Sequence, residues 1–533
     1  MKKLIFNEEA RNKLLKGAKT VYDAVSSTLG PKANNVAIER DYGVPIVIHD
    51  GVNVSRECVG LEDKFENVGA ELIKGAADKM DSVGDGTTLT TILTYEIAKE
   101  ANRNIVAGAN SMMLRKGINL AVEKIVENVD KLAIPVETDE QIKQIATISA
   151  QNDEIGELIS GAIKKLGRDA IITVEESGTE MSVDYKEGMA FDKGFASHYF
   201  ITNPESNEAE LEDPYILVTD YRISDMKQFI GFFSSYNEGL KAGLIENTSL
   251  LIIANGVDGA PLATLVSNKL QGHMKPLVVN APGFNDVRDI LEDIAVSTGG
   301  SLVSKEKGLK LEDVKPEHLG RAKKVISSKD STTIIGGNGD DKLIKERVKL
   351  LKTQIEKSTY EFETEKLQER LARLTSGIAV INVGADSEAE VREKKERCID
   401  AIAATKAAIE GGIVSGGEIS LIEATKFQTI LSESDDVLNG AKIVINAIKK
   451  PFEKLMENSG YNSGQMLERI LNSKKGFGID VMDGEVKNMI EAGIIDPANV
   501  VKNALKYASS SAIMLMTTST VIINVKEKDE LQN

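Results

Sequence analysis

The chain contains no tryptophan, only 5% aromatic residues and only two cysteines among 533 residues. So few aromatic side chains argue against a base-stacking platform for nucleic acid. The formal net charge of -17 argues against nonspecific nucleic-acid binding, which requires a basic surface. Cys58 and Cys398 cannot build a disulfide framework, and a reducing cytoplasm is the simplest compartment. We therefore expect a soluble cytoplasmic protein with no nucleic-acid partner.

Histidine is also scarce, and its four positions form no His-Glu-x-x-His pattern, which argues against a zinc site. No apolar run approaches the roughly 20 residues that a membrane helix needs. The first residues turn acidic without an apolar region, so the sequence predicts neither a signal peptide nor a membrane partner. The chain has no Gly-Lys dipeptide, which excludes a Walker A phosphate loop.

The length of the chain and its 41% hydrophobic residues predict two to four globular domains. Helical periodicity dominates up to about residue 133, with a helix predicted over 88–133, and a further helix is predicted over 139–166. Helices dominate again after residue 386, apart from a glycine loop predicted at Gly411 to Gly417. Between about 189 and 375, short buried strands alternate with helices, which is typical of an α/β domain. Within it, residues 340–373 predict a highly charged, solvated hairpin arm. The pattern indicates one domain divided by an insertion.

One stretch, Ser82 to Leu89, predicts a loop that turns directly into a helix. Gly84 and Gly86 permit unusual backbone angles, and Thr87 and Thr88 are residue types that cap helices. A glycine loop before a helix N-terminus suits an anion such as phosphate, and a carboxylate beside phosphate, here Asp85, is a common Mg²⁺ ligand. From these residues alone, an ordinary capped helix after a glycine turn stays an equally good interpretation.

Several motifs occur in one order along the chain and together resemble the chaperonin family, in its group I, 60-kDa class. They are Thr28-Leu29-Gly30-Pro31-Lys32, Asp50-Gly51-Val52, Leu61-Glu62-Asp63, Gly84-Asp85-Gly86-Thr87-Thr88, Gly411 to Gly417 and Gly493-Ile494-Ile495-Asp496-Pro497. The resemblance runs nearly end to end. It implies a multidomain α and α/β fold, with a helical ATPase domain, a hinge domain and an inserted α/β domain.

The resemblance also implies boundaries and partners. The equatorial ATPase domain would be 1–132 and 411–533, the intermediate domain 133–187 and 378–410, and the apical domain 188–377. The protein would be an ATP hydrolase that works as a homo-oligomeric ring, seven-membered in this family. The ring would enclose non-native polypeptides, and the need for a separate lid co-chaperonin is left open.

By the same resemblance, specific residues would bind the nucleotide. The resemblance implies ATP and Mg²⁺ as cofactors, with K⁺ left open. Asp400 would orient the attacking water, Asp50 would be a second carboxylate near the γ-phosphate, and Asp85 would hold Mg²⁺. The remaining nucleotide contacts would be Thr28, Leu29, Gly30, Pro31, His49, Gly51, Gly86, Thr87, Thr88, Leu89, Gly417 and Asp496.

The sequence departs from the family pattern at several of these positions. His49 replaces a usual Lys, Leu89 a Thr, Gln151 an Asn and Glu418 a Gly. These departures are typical of a divergent member, either virus-encoded or from a fast-evolving lineage. They keep a rival open, an ATP-independent holdase or structural ring with a degenerate pocket. A metabolic ATP-using enzyme is a third class, for which no small-molecule site is evident.

Two apolar stripes occur in the inserted domain at helical spacing. One is Met226, Phe229, Ile230 and Phe233, and the other is Leu262, Leu265, Val266 and Leu270. Such a stripe is usually buried core. The resemblance implies instead that part of each stripe, with Tyr199 and Phe200, forms an exposed patch that binds unfolded chains. The expected contacts are Tyr199, Phe200, Ile230, Phe233, Leu262 and Val266.

Overall fold

The computed structural model describes residues 2–39, 46–48, 51–81, 83–168, 170–177, 180–204, 206–283, 286–358, 360–375, 377–385, 387–426 and 434–524. By internal contacts the chain forms two compact units. Unit one comprises Met1–Lys164, Glu176–Met181 and Val383–Asn533, and unit two comprises Lys165–Glu175 and Ser182–Asn382. The division into three domains remains a prediction.

The first part of unit one is mainly helical because its apolar residues recur every three or four positions. On the first helix, for example, Ala10, Leu14 and Ala18 are fully buried on one face. The elements are β1 (Lys2–Phe6), α1 (Asn7–Ser26), β2 (Val36–Ile38), β3 (Ile46–Ile48), α2 (Gly51–Glu57), α3 (Lys64–Asp81), α4 (Thr87–Val106), α5 (Ser111–Leu132), α6 (Asp139–Ala150) and α7 (Asp153–Leu166).

Unit two contains the α/β part of the chain. Its elements are β4 (Ile171–Glu176), β5 (Ser182–Phe191), a 3₁₀ turn (His198–Phe200), β6 (Ala209–Glu212), β7 (Tyr215–Thr219), α8 (Met226–Lys241), β8 (Ser249–Ala254), α9 (Gly259–Leu270), β9 (Lys275–Asn280), α10 (Val287–Thr298), β10 (Leu302–Val303), two further 3₁₀ turns (Leu311–Asp313 and Pro316–His318), β11 (Gly320–Ser327), β12 (Thr332–Gly337), α11 (Asp341–Lys357), α12 (Glu361–Thr375) and β13 (Gly377–Val383).

The described strands of unit two form a ten-stranded mixed sheet. Its order is β4-β13-β5-β12-β11-β7-β8-β9, with β10 on β7 and β6 on β11. The strands β7, β8 and β9 run parallel and are almost wholly apolar, as strands covered on both faces must be. The helices between them cover the sheet, and this places α8 and α9 at the surface of the unit.

The last part of unit one completes its helical core. Its elements are α13 (Glu388–Gly411), β14 (Ile413–Ser415), α14 (Ser420–Thr425), α15 (Asp435–Ala447), α16 (Lys449–Asn458), α17 (Ser463–Leu471), β15 (Phe477–Asp480), β16 (Glu485–Asn488), β17 (Ile495–Pro497), α18 (Ala498–Thr517) and β18 (Thr520–Asn524). Strand β18 pairs antiparallel with β1, and Ile134 forms a bridge with Ile413, so the two sequence-distant parts of the unit share backbone hydrogen bonds. Within the last part, β14 pairs antiparallel with β17.

The structure corrects several sequence predictions. The predicted helix 88–133 is two helices, because the Asn110 side chain accepts hydrogen bonds from Met112 and Met113 and begins α5. The predicted helix 139–166 is also divided, at Gln151 in the left-handed region with φ of 50°. The segment Gly411–Gly417, predicted as a loop, contains the short strand β14.

The charged segment 340–373 is not simply a solvated arm. It forms α11 and α12, and Leu351 and Leu367 are buried. Arg370 is also buried, and its guanidinium donates to the carboxylate of Asp293 on α10. The hairpin is therefore attached to the body of unit two through its charged residues as well as its apolar ones.

Among the described helices, none is long and apolar enough to cross a membrane.

Candidate functional site

The loop before α4 forms the centre of the candidate site. Helix α4 starts at Thr87, and its N-cap is Gly86, so Thr87 and Thr88 belong to the first turn and are not the cap as predicted. The Gly86 N–H donates to Oδ1 of Asp85 at 2.5 Å, which fixes that carboxylate at the helix start. Because the first-turn N–H groups of a helix have no intrahelical acceptor, this end favours an anion.

Helix α13 approaches this loop through Gly84. A Cβ at Gly84 would lie 2.0 Å from the Cβ of Ala403, and the residue has φ of 97°, so only glycine fits there. Asp400 is three residues before Ala403 and therefore lies on the same face of α13. Helix α6 also contacts the loop, because the hydroxyl of its Ser149 donates to Oδ2 of Asp85 at 3.4 Å.

The start of α2 also contacts the first turn of α4. A Cβ at Gly51 would lie 2.4 Å from Oγ1 of Thr88 and 3.4 Å from a methyl group of Val25 on α1. The ends of α1, α2 and α4 therefore meet at one place. The predicted site residues His49 and Asp50 lie outside the described residues.

The turn after α1 is held by α16. The Asn458 amide donates to the carbonyl oxygen of Leu29 at 3.0 Å, and a Cβ at Gly30 would lie 2.3 Å from Cδ1 of Leu455. The Thr28 hydroxyl donates to the carbonyl oxygen of Val25, so the Thr28 side chain also fixes the turn. This turn begins where α1 ends, next to Gly51 and α4.

The second glycine segment lies on the paired strands β14 and β17. Val414 pairs with Asp496, and the Gly416 N–H donates to the carbonyl oxygen of Ile494 at 2.9 Å. A Cβ at Gly416 would lie 3.1 Å from Oδ1 of Asp496, so the glycine leaves that carboxylate room. Helix α18 follows directly after β17. A Cβ at Gly86 would lie 2.8 Å from Cγ1 of Val500 on this helix.

Three carboxylates interact across this region. Burial, followed by the negative charges of Asp496 and Asp85, raises the pKa of Glu418 to about 8. Burial and then Asp85 raise the pKa of Asp496 to about 7. Glu418 also has φ of 63°, a left-handed conformation that costs a non-glycine residue roughly 1–2 kcal/mol. The departure from glycine at this position thus adds both charge and strain.

We expect Glu418→Gln to stabilise the nucleotide-free protein at alkaline pH by about 1–3 kcal/mol. The pKa of Glu418 in the folded protein lies above its ordinary value of 4.5. The protonated acid therefore makes its full stabilising contribution below pH 4.5, and this contribution is lost as the pH rises through about 8. Glutamine cannot ionise. Thermal unfolding in EDTA should therefore show a larger gain at about pH 9 than at about pH 6, and the exposed Glu491→Gln should show none. A gain independent of pH would contradict this account.

The structure brings most of the predicted nucleotide-binding residues into this one region of unit one. They are Thr28, Leu29, Gly30, Gly51, Asp85, Gly86, Thr87, Thr88, Gly417 and Asp496, with Pro31 and Leu89 next to them in sequence and Asp400 on the helix that contacts Gly84. Leu89 is buried in the helical core, so its side chain contributes packing where the family has a hydroxyl. Ser149 and the contact of Ala403 with Gly84 were not predicted, because nothing local in the sequence indicates which helix faces the loop.

The apolar residues predicted on unit two divide into two groups. Tyr199 is 65% exposed and Ile230 is 52% exposed, whereas Phe233, Leu262 and Val266 are partly buried against the core. Phe200 is only 1% exposed, so its predicted place on the surface is wrong: the 3₁₀ turn directs it into the core and its neighbour Tyr199 outward. The other stripe residues Phe229 and Leu265 are core as well.

This combination of a helical unit with an anion-suited helix start and an inserted α/β unit defines a class of protein. A model of the TCP-1/cpn60 chaperonin family matches residues 21–526. Because this match covers nearly the whole chain, the chain belongs to the TCP-1/cpn60 chaperonin family. The resemblance predicted from the sequence motifs is confirmed.

Solved structures agree with the family assignment. One is the chaperonin gp146 from the bacteriophage EL 2 (Pseudomonas aeruginosa) in the presence of ATP-BeFx, crystal form II. The likeness covers 98% of this chain and 99% of that chain, with a TM-score of 0.71 and 22% identity. For crystal form I the TM-score is 0.63, with the same identity and coverage. The predicted fold class, multidomain α and α/β with the chaperonin fold, is confirmed.

Proposed function

We propose that the chain is an ATP-driven ring chaperonin that binds and hydrolyses ATP in unit one and captures non-native polypeptides on unit two. The observation that carries this proposal is the close approach of Gly84 to Ala403, because the helix that bears Asp400 then lies against the loop proposed to bind phosphate. Phosphate release by the purified protein, with and without Mg²⁺, tests it. No Mg²⁺-dependent release would overturn it.

The donor set at the loop fits a nucleotide-bound Mg²⁺. Asp85 would hold the ion, since its carboxylate is fixed by the Gly86 N–H and neighbours the Ser149 hydroxyl. Among the described residues, no group of three or more Asp, Glu, His or Cys side chains could hold a metal ion. Mg²⁺ usually takes one or two carboxylates together with phosphate oxygens and water. When bound, the ion neutralises phosphate charge.

The residues of the chain would supply positioning. Phosphoryl transfer to water needs an oriented nucleophile and stabilised charge more than covalent chemistry. In the proposal Asp400 orients the attacking water and the first-turn N–H groups of α4 bind phosphate oxygens. The turn at 28–31 also binds the phosphates, and Gly417 and Asp496 bind the adenine and the ribose. The roles of Asp50 and His49 rest on the family resemblance alone.

The exposed residues of α8 and α9 are the proposed capture surface. Ile230 on α8 and Leu270 on α9 are exposed, and Tyr199 lies beside the end of α9, where the Lys269 ammonium donates to its carbonyl oxygen at 3.0 Å. An exposed apolar patch of this kind suits the apolar segments of unfolded chains. Phe233, Leu262 and Val266 support the patch from below, and Phe200 belongs to the core.

We expect Ile230→Ser to weaken capture of an unfolded protein several-fold, roughly the effect of losing one apolar contact, while ATP turnover is unchanged. Leu343 on α11 is also 52% exposed, so Leu343→Ser is a control matched in exposure and chemistry. Capture is measured as suppression of aggregation of a denatured client. Equal loss in both variants would show that general surface hydrophobicity, and not this patch, binds the client.

Ring assembly follows from the family and is supported by two ribbons of unit one. The β1–β18 ribbon exposes Leu4, Phe6 and Ile522, and β3 in the β2–β3 ribbon exposes Val47. A two-stranded ribbon with free edges is marginal by itself. A second copy of the chain would cover these edges. The seven-membered size and a lid co-chaperonin rest on the resemblance.

The proposal includes three domains within the two compact units. Unit one would contain the equatorial domain (1–132 and 411–533) and most of the intermediate domain (133–187 and 378–410). Unit two would contain the apical domain (188–377). The free thiols of Cys58 and Cys398 support a reducing cytoplasm as the compartment.

One observation favours the rival, an ATP-independent holdase. Glu418, Asp496 and Asp85 repel one another and would repel a triphosphate unless cations are bound with it. If the protein is such a holdase, the wild-type protein suppresses aggregation equally with and without ATP. Phosphate release distinguishes the two functions.

A further inference from the structure

A short hairpin borders the proposed nucleotide site. It consists of β15 and β16 with a tip at 481–484, and the tip is held from outside. The Tyr461 hydroxyl donates to the carbonyl oxygen of Val481 at 3.3 Å, and Arg469 donates to that of Gly484 at 3.2 Å. Lys487 braces the hairpin from within, because its ammonium lies 2.7 Å from Asp480. The hairpin is thus a braced wall whose tip, at Met482, is exposed.

At its base the hairpin contacts the second glycine segment. A Cβ at Gly417 would lie 2.8 Å from Cε of Met489 and 3.9 Å from the carbonyl oxygen of Ile479. The N–H of Gly476, which precedes β15, donates to the buried carboxylate of Glu423 at 2.6 Å. This end of the wall is therefore fixed next to Gly417, the residue assigned to the base of the nucleotide.

At its tip the hairpin is joined to the turn at 28–31 by one side chain. Lys32 directly follows that turn, and its ammonium donates to the carbonyl oxygen of Met482 at 3.0 Å. The same ammonium lies 5.5 Å from the centroid of the Tyr461 ring, which is within range of a cation–π interaction. Lys32 therefore connects the turn at 28–31 to the hairpin, although Lys32 and Met482 are 450 residues apart in sequence.

We propose that Lys32 is a positioning residue that holds the hairpin against the turn at 28–31 and thereby slows the release of bound nucleotide. This inference rests on the proposed function. The turn carries residues assigned to the phosphates, and the hairpin contacts Gly417, which is assigned to the base, so a nucleotide between them leaves more easily when they separate. Lys32 and Met482 are both exposed, so this contact can open without unfolding the core.

The test compares Lys32→Met with wild type and with a matched control. Lys474, an exposed lysine just before the same hairpin, gives the control Lys474→Met, which removes the same charge outside the contact. Dissociation of a fluorescent ADP is measured by competition with unlabelled ADP on the full-length protein. We expect Lys32→Met to accelerate dissociation about 3- to 10-fold and to raise the KM for ATP similarly. The kcat should change less than about twofold.

A second variant separates positioning from charge. Lys32→Arg retains a cation that can donate to a carbonyl and stack on Tyr461, so it should restore most of the slow dissociation. Equal dissociation in Lys32→Met and wild type, or equal acceleration in Lys474→Met, would overturn the inference while leaving the proposed function intact. Wild-type protein that binds no ADP would overturn the proposed function, and the inference with it.

Discussion

Asp400→Ala should bind ATP as wild type does, with turnover lowered by about 10²-fold or more. Asp400 lies on the face of α13 that packs against Gly84, and its carboxylate is the group assigned to orient water. Losing such a group removes stabilisation that exists only in the transition state, so kcat falls while the nucleotide Kd is retained. Single-turnover phosphate release and ADP binding are the two measurements.

A control on the same helix makes this result specific. Glu393 is exposed on α13, two turns before Asp400, and pairs with Arg397 at 2.6 Å. Glu393→Ala should leave turnover within about twofold of wild type, because exposed ion pairs contribute little. Unchanged turnover in Asp400→Ala would remove Asp400 from the catalytic assignment.

The largest stability effect is expected for Asp293→Ala in unit two, at roughly 3–5 kcal/mol. Asp293 is 2% exposed and accepts hydrogen bonds from Arg347 at 2.7 Å and from Arg370 at 2.8 Å. Its removal would leave two guanidinium groups near one another, one of them buried, without the carboxylate that neutralises them. Such uncompensated buried charge is among the few causes of so large a loss.

The neighbouring carboxylate provides the comparison for this variant. Asp289 lies 3.1 Å from Arg370, but its side chain is 58% exposed. Asp289→Ala should therefore cost less than about 1 kcal/mol. Urea unfolding of the full-length protein measures both variants. Similar losses in the two would contradict the view that Asp293 anchors the α11–α12 hairpin.

The sequence predicts local structure well where the periodicity of apolar residues or a single glycine determines it. The periodic apolar residues of α1 and α4, the strands β7 to β9 and the order of the glycine motifs are all readable from neighbouring residues. The motifs were enough to identify the family, because several of them occur in the family's order along one chain.

What the sequence could not give are contacts between distant residues. The attachment of Arg370 to Asp293 and the contact of Lys32 with Met482 join positions that carry no local signal. Phe200 was misplaced because two adjacent aromatic residues point in opposite directions, and only the turn geometry decides which one is buried. Glu418 was recognised as a departure, but its charge repulsion with Asp496 required the fold.

The central claim is that ATP turnover in unit one drives the release of clients captured on unit two. The most direct test is recovery of a chemically denatured client enzyme with wild-type protein, in ATP and Mg²⁺ and in nucleotide-free buffer. We predict that wild-type protein captures the client in both conditions and restores its activity only with ATP, and that Asp400→Ala captures without restoring. Equal recovery with and without ATP, or equal recovery by wild type and Asp400→Ala, would contradict the account.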